Sequence, residues 1–126
     1  MDCVIEEAYD PSSVLPFKGD VDIGKLEDVI NREGKERVPL IMVTVTNNSG
    51  GGQPVSLKNL REVSRVARKH GIPLFLDAAR MAENAYFIKT REREFSSMSV
   101  REILRAMMDT ADAIAVSCKK AVSYTH

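Results

Sequence analysis

The chain has 126 residues, enough for one domain, and 44% of them are hydrophobic, so a packed core is expected. Its 18 lysines and arginines balance its 18 aspartates and glutamates, which gives no electrostatic reason to expect nucleic-acid or membrane-surface binding. No apolar run approaches the roughly 18 residues of a membrane span, and the N-terminus lacks the pattern of a secretory signal. Cys3 and Cys118 fit no metal or disulfide spacing, so reduced thiols and a cytoplasmic location are expected.

A first helix is predicted between Asp22 and Gly34, because apolar residues recur there at helical spacing and glycine favours a helix end. Asp20 or Asp22 is suited to be its N-cap. The acidic residues of this stretch are expected to form a solvated helix face rather than a carboxylate site. Phe17, just upstream, is expected to anchor the N-terminal segment on the core.

The clearest predicted strand is Val38–Thr46, which is nearly continuous in apolar and β-branched residues and therefore indicates a strand covered on both faces. It runs into the glycine-rich stretch Asn47–Pro54, which permits a tight turn and a close approach of the backbone to a ligand. A second helix is predicted from Ser56 to His70, ending at Gly71. His70 is expected to complement the helix dipole.

The second half of the chain repeats the alternation of strand and helix. Ile72–Asp77 predicts a buried strand, and Met81–Glu94 is predicted to be helical in part. Ser99 and Glu102 form a capping box, which predicts a third long helix that ends at Asp112. The side chains expected on its inner face are Ile103, Leu104, Met107 and Met108. A third strand is predicted over Ala113–Ser117.

This order of elements indicates an α/β fold. Strands that are apolar throughout, joined by connections long enough for a helix, favour parallel strands with right-handed crossovers. A sheet of three strands would still leave edges and one apolar face exposed.

Polar residues follow each predicted strand: Asn47 and Asn48 after the first, Asp77 and Arg80 after the second, and Ser117 with Lys119 and Lys120 after the third. The carboxyl ends of parallel strands share one crevice, so these residues are expected to be neighbours. A lysine partly removed from water becomes a usable amine. The alternative for the lysine pair is ordinary solvated charge, and the asparagines suit simple turn chemistry.

Asp77 ends an apolar run, so its carboxylate needs a cationic partner or hydrogen bonds. Two structural roles would supply them, an ion pair with Arg80 or the N-cap of the next helix. The functional alternative is that Asp77 faces the protonated ring nitrogen of pyridoxal phosphate, which needs such a partner to act as an electron sink.

Four stretches together resemble the aromatic amino acid β-eliminating lyase family, which comprises tryptophanase and tyrosine phenol-lyase. They are Thr46–Ser56 (TNNSGGGQPVS), Leu76–Arg80 (LDAAR), Ala82–Lys89 (AENAYFIK) and Ser117–Lys120 (SCKK). The likeness runs from about Ala8 to Lys120. It implies the fold type I, aspartate aminotransferase-like, pyridoxal-phosphate domain, in agreement with the parallel α/β pattern.

The resemblance implies a role for each matching residue. Lys120 would bind pyridoxal 5'-phosphate covalently and act as the base on the substrate α-proton. Asp77 would pair with the pyridine nitrogen. Arg80 and Asn48 would lie near the phenolic oxygen of the cofactor, and Ser117 would contact its phosphate. The implied reaction is the β-elimination of tryptophan or tyrosine to indole or phenol, pyruvate and ammonia. The family also implies a homo-oligomer and a nearby monovalent cation.

The sequence departs from the family pattern after Lys120, where Ala121–His126 diverges. The family's upstream phosphate-binding loop and its substrate-binding C-terminal arginine have no counterpart here. We therefore expect a partial large domain, with an N-terminal segment at 1–19, a core at 20–120 and a divergent tail at 121–126. The expected function is a truncated carbon–carbon lyase of little or no activity. The alternative is a non-catalytic remnant that binds the cofactor weakly or not at all.

Overall fold

The computed structural model of the chain describes residue 3 and residues 16–46 and 53–115. Within these ranges the helices and strands follow one another in the order that the sequence predicts. They are α1 (Ile23–Glu33), β1 (Ile41–Thr44), α2 (Leu57–His70), β2 (Leu74–Asp77), α3 (Met81–Arg91), α4 (Val100–Asp109) and β3 (Ala113–Ala115), with short 3₁₀ turns at Lys35–Arg37 and Arg93–Phe95.

The three strands form one parallel sheet in the order β1-β2-β3. Asp112 ties the beginning of β3 to β2, because its amide donates to the Leu74 carbonyl and its carboxylate accepts from the Leu74 amide, both at 2.8 Å. This arrangement confirms the predicted α/β class with parallel strands, and it is the arrangement expected for part of a fold type I domain. Because the strands are parallel, the carboxyl ends of all three strands lie at the same edge of the sheet.

The helices begin where local capping signals predict. Asp22, rather than Asp20, caps α1 by accepting from the Lys25 amide, and Ser56 caps α2. Ser99 and Glu102 form the predicted capping box of α4. The predicted end of α4 is wrong, since the helix ends at Asp109, three residues before Asp112.

The hydrophobic core lies between one face of the sheet and the helices. Ile41 and Val43 of β1 and Leu74 and Leu76 of β2 are buried there, together with residues from all four of the helices described. Phe17 joins this core, as predicted. Within the described ranges no helix is both long enough and apolar enough to cross a membrane.

Two expectations about burial are wrong. Met42 is 56% exposed, so β1 is covered on one face and not on both. The strand is also shorter than Val38–Thr46. Met108 is 41% exposed, because Ile103 and Met107 take the inner face of α4 and Leu104 only packs against its margin.

Candidate active site

Asp77 is the last residue of β2, at the carboxyl edge of the sheet. It pairs in register with Thr44 of β1 and Ala115 of β3, and paired residues of parallel strands point to the same face. Because Leu76 is buried under the helices, the half-buried Asp77 lies on the opposite, open face. This is the position that the functional alternative for Asp77 requires, in which the carboxylate faces a ligand at the sheet edge.

Neither structural role considered for Asp77 is found in the described part of the chain. The ion pairs there involve Arg32 and Arg37 with Glu33, and none involves Asp77 or Arg80. The N-cap of α3 is Arg80, without a side-chain capping bond. A half-buried carboxylate without a cationic partner is suited to a protonated pyridine nitrogen, so the residues described fit pyridoxal phosphate at this edge.

Arg80 is held beside the end of β1 by its backbone. Its amide donates to the Val45 carbonyl at 2.9 Å, while the Val45 amide donates to the Asp77 carbonyl at 2.9 Å. The residues that follow β2 therefore run beside Val45, the residue that follows β1. Arg80, which is half-buried, therefore lies next to Thr46, and Asn47 and Asn48 follow Thr46 in sequence.

Asn84 is a structural residue that sequence reasoning missed. Its side chain is fully buried, and it both accepts from the Val55 amide and donates to the Val55 carbonyl, each at 2.9 Å. The Asn84 amide in turn donates to the Arg80 carbonyl at 3.0 Å. The first turn of α3 therefore holds both ends of the connection between β1 and α2, through Val45 on one side and Val55 on the other.

A signal for Asn84 exists in the sequence. Asn84 lies four residues before Ile88 and beside Ala85, on the buried stripe of α3. A polar residue in an apolar stripe must find hydrogen-bond partners when it is buried. Its position predicts a buried hydrogen-bonding role, although the partner is not readable from the sequence.

One polar atom beside the site has no partner. The Thr46 hydroxyl, two residues beyond the end of β1, is buried and makes no hydrogen bond to any described residue. Buried hydroxyls without partners are uncommon in folded proteins and often mark a functional region. The Thr46 hydroxyl lies at the same carboxyl edge of the sheet as Asp77.

The carboxylates of Asp20 and Glu92 lie at the beginning of α2, where they accept hydrogen bonds from its first residues. Asp20 accepts from the Ser56 amide at 2.7 Å and from its hydroxyl at 3.0 Å, and Glu92 accepts from the Leu57 amide at 2.6 Å. Burial raises the pKa of Asp20 to about 6 despite these bonds. Burial likewise raises the pKa of Glu92. Sequence reasoning missed both roles, since their partners are distant in sequence.

The remaining predicted site residues, Asn48, Ser117, Lys119 and Lys120, lie outside the described residues. The structure brings Asp77 and Arg80 together at the sheet edge, and the roles of the others stay predictions.

Comparison with known proteins identifies the family. The model of the β-eliminating lyase family matches residues 1–124. The chain belongs to this family. It is 51% identical over 120 residues to tyrosine phenol-lyase of Symbiobacterium thermophilum, and 48% identical over 120 residues to tryptophanase of Salinibacter ruber. A probable β-eliminating lyase of Trichomonas vaginalis is also 48% identical.

Each of these alignments covers 95% of the chain. The chain spans about a quarter of the length of the curated relatives, 26% of the first of them. Family membership confirms the predicted resemblance and agrees with the fold type I arrangement of the sheet.

Proposed function

We propose that this chain forms part of the cofactor-binding domain of a pyridoxal-phosphate-dependent carbon–carbon lyase that acts on aromatic amino acids. The observation that carries the proposal is the half-buried Asp77 carboxylate on the open face of the sheet edge, without a cationic partner among the described residues and beside Arg80. The names of the relatives, tyrosine phenol-lyase and tryptophanase, support the substrate class.

When bound, pyridoxal phosphate supplies an electron sink for the carbanion at the substrate α-carbon. Asp77 holds a proton on the ring nitrogen, since a half-buried carboxylate stabilises a neighbouring cation. Arg80 and Asn48 orient the cofactor through its phenolic oxygen, and Ser117 binds its phosphate. Lys120 holds the cofactor and moves the α-proton.

Assembly into a homo-oligomer and a monovalent cation near the site belong to the same proposal. Both are properties of the family that the resemblance implies. A second subunit or a bound cation would complete a site at the carboxyl edge of the sheet, to which the described part of this chain contributes Asp77 and Arg80.

Chemical trapping of the cofactor tests the assignment of Lys120. The chain is mixed with pyridoxal phosphate and reduced with borohydride, and the labelled peptide is identified by mass spectrometry. We expect the label on Lys120 in the natural chain and in Lys119→Ala, and its loss in Lys120→Ala. Lys119→Ala is the matched control, because it removes an adjacent amine of the same chemistry. A specific label that persists elsewhere in Lys120→Ala would refute the assignment.

Pyruvate release from tyrosine and from tryptophan then distinguishes the functional alternatives. An active lyase releases pyruvate from at least one of the two amino acids, and the preferred one identifies the substrate. The non-catalytic alternative requires that pyruvate is absent even when Lys120 is labelled.

A further inference from the structure

A groove between α2 and the end of α4 lies away from the candidate active site. Its volume is about 380 Å³, at the lower end of the range for small-molecule pockets. From α2 it is lined by Arg61, Ser64, Arg65 and Arg68, and from the end of α4 by Asp109 and Thr110. The four residues of α2 are spaced i, i+3, i+4 and i+7, which places them on one face of the helix.

The groove concentrates positive charge in a chain whose net charge is zero. Three guanidinium groups line it against the single carboxylate of Asp109. No ion pair among the described residues involves Arg61, Arg65 or Arg68. Like charges on one helix face repel each other, so this arrangement favours an anion that would neutralise them.

Arg61 is partly fixed in place before any ligand binds. Its Cζ lies 5.1 Å from the centroid of the Phe95 ring, a cation–π contact that restricts the guanidinium. A restricted side chain loses less entropy when it binds, which favours recognition at this end of the groove.

Ser64 supplies an independent sign of a ligand. It is only 7% exposed, it lines the groove, and its hydroxyl makes no hydrogen bond to another described residue. A serine inside a helix commonly donates to the carbonyl one turn earlier. No such bond is found among the described residues, so the Ser64 hydroxyl, which lines the groove with the three arginines, remains available to an incoming oxygen.

We propose that this groove binds the phosphate group of a small phosphorylated molecule. Arginine is suited to this because its planar guanidinium makes paired, charge-assisted hydrogen bonds to phosphate oxygens. Arg65 and Arg68 bind the phosphate from the rim, and the Ser64 hydroxyl donates to it from the floor. The remaining volume accommodates the organic part of the molecule beside Thr110. The proposal is independent of the pyridoxal-phosphate site.

Calorimetric titration of the full chain with inorganic pyrophosphate, at constant ionic strength, tests the proposal. The natural chain is expected to bind one equivalent saturably. Arg65→Gln and Arg68→Gln are each expected to weaken binding by about tenfold or more, because each removes a charge-assisted contact. Lys69→Gln is the matched control, since it removes the same charge from an exposed position of α2 outside the groove. It is expected to change the affinity by less than about twofold.

Ser64→Ala separates a ligand contact from a structural role. The Ser64 hydroxyl has no hydrogen bond to lose within the part of the chain that the structure describes, and alanine is the better helix former. The variant is expected to keep its stability to urea while binding pyrophosphate several times more weakly. The proposal is overturned if the natural chain shows no saturable binding, or if Lys69→Gln weakens binding as much as Arg65→Gln does.

Discussion

Two asparagines make the same pair of hydrogen bonds to the backbone of a distant segment. Asn84 binds both polar groups of Val55, and Asn59 binds both polar groups of Val21, with distances of 2.8–2.9 Å. The side-chain amide replaces the strand partner that these irregular segments lack. The two sites differ in burial, because Val55 is fully buried whereas Val21 is half-buried.

This difference predicts unequal costs for the same substitution. Asn84→Ala leaves the Val55 amide and carbonyl without partners in the core and is expected to lower the free energy of unfolding by about 2–4 kcal/mol. Asn59→Ala is the matched control and is expected to cost about 1–2 kcal/mol, since water can reach Val21. Urea denaturation measures both values. Equal costs, or a larger cost at Asn59, would contradict this account of burial.

At the residue scale, the sequence predicts the polar side chains that follow a strand. It does not predict side chains whose hydrogen-bond partner is distant in the sequence. The apolar run of the second strand stops at Asp77, and Arg80 follows three residues later, which predicts both at the end of the strand; the structure brings them to one edge. The Asn84–Val55 contact joins residues 29 positions apart. Such a contact depends on the packing of α3 beside Val55, which no local pattern encodes.

At the scale of single elements, the beginning of α2 has an unusual set of caps. The first amide groups of a helix have no partner within the helix. Here the Ser56 amide donates to Asp20, the Leu57 and Lys58 amides donate to Glu92, and the Asn59 amide donates to the Ser56 hydroxyl. Three separate parts of the chain therefore meet at one helix end.

This cap predicts a pH-dependent stability. Burial raises the pKa of Asp20 from 3.8 to about 6, so between these values the folded state holds a proton that the unfolded state has released. The Asp20 contribution to stability is therefore greatest below about pH 4 and is lost as the pH rises through 6, by about 3 kcal/mol. An asparagine side chain at this position would keep both bonds to Ser56 without a charge, since its oxygen accepts from the amide and its nitrogen donates to the hydroxyl.

Asp20→Asn is accordingly expected to raise the free energy of unfolding by about 3 kcal/mol at pH 7 and to leave it nearly unchanged at pH 4. Urea denaturation of both proteins at the two pH values checks this. The same increment at both pH values, or a loss of stability at pH 7, would show that the charged carboxylate is the better cap.

Element boundaries were predictable where they depend on local chemistry. The starts of α2 and α4 follow Ser56 and Ser99, whose hydroxyls accept backbone hydrogen bonds within three residues. The ends of β1 depend instead on how far β2 extends beside it. The segment Val38–Leu40 is apolar enough to be predicted as strand, but it lies outside the sheet because the pairing with β2 begins at Ile41. Handedness of the crossovers stays a prediction.

At the scale of the whole molecule, the sheet has one covered face and one open face. The open face carries Met42, which is 56% exposed, beside the half-buried Phe75 in the same register. The apolar sequence of β1 predicted coverage on both faces, but hydrophobicity alone does not show which part of the described chain would cover each face. Exposed apolar surface of this kind favours association.

We expect the chain to self-associate through this face in a concentration-dependent manner. Met42→Lys adds a charge to β1, an edge strand of the described sheet, and is expected to weaken association by about tenfold or more. Met108→Lys is the control, because Met108 is also exposed but lies on α4. Sedimentation velocity over a range of concentrations compares the three proteins. A chain that stays monomeric throughout, or an equal effect of the two substitutions, would contradict this expectation.

The first turn of α3 has a consequence for how this region tolerates change. Because Arg80 holds Val45 and Asn84 holds Val55, the anchor points of the intervening connection belong to a single rigid turn. A disturbance of this one turn therefore reaches both ends of the connection from β1 to α2 at the same time, and with them the position of Arg80 at the sheet edge.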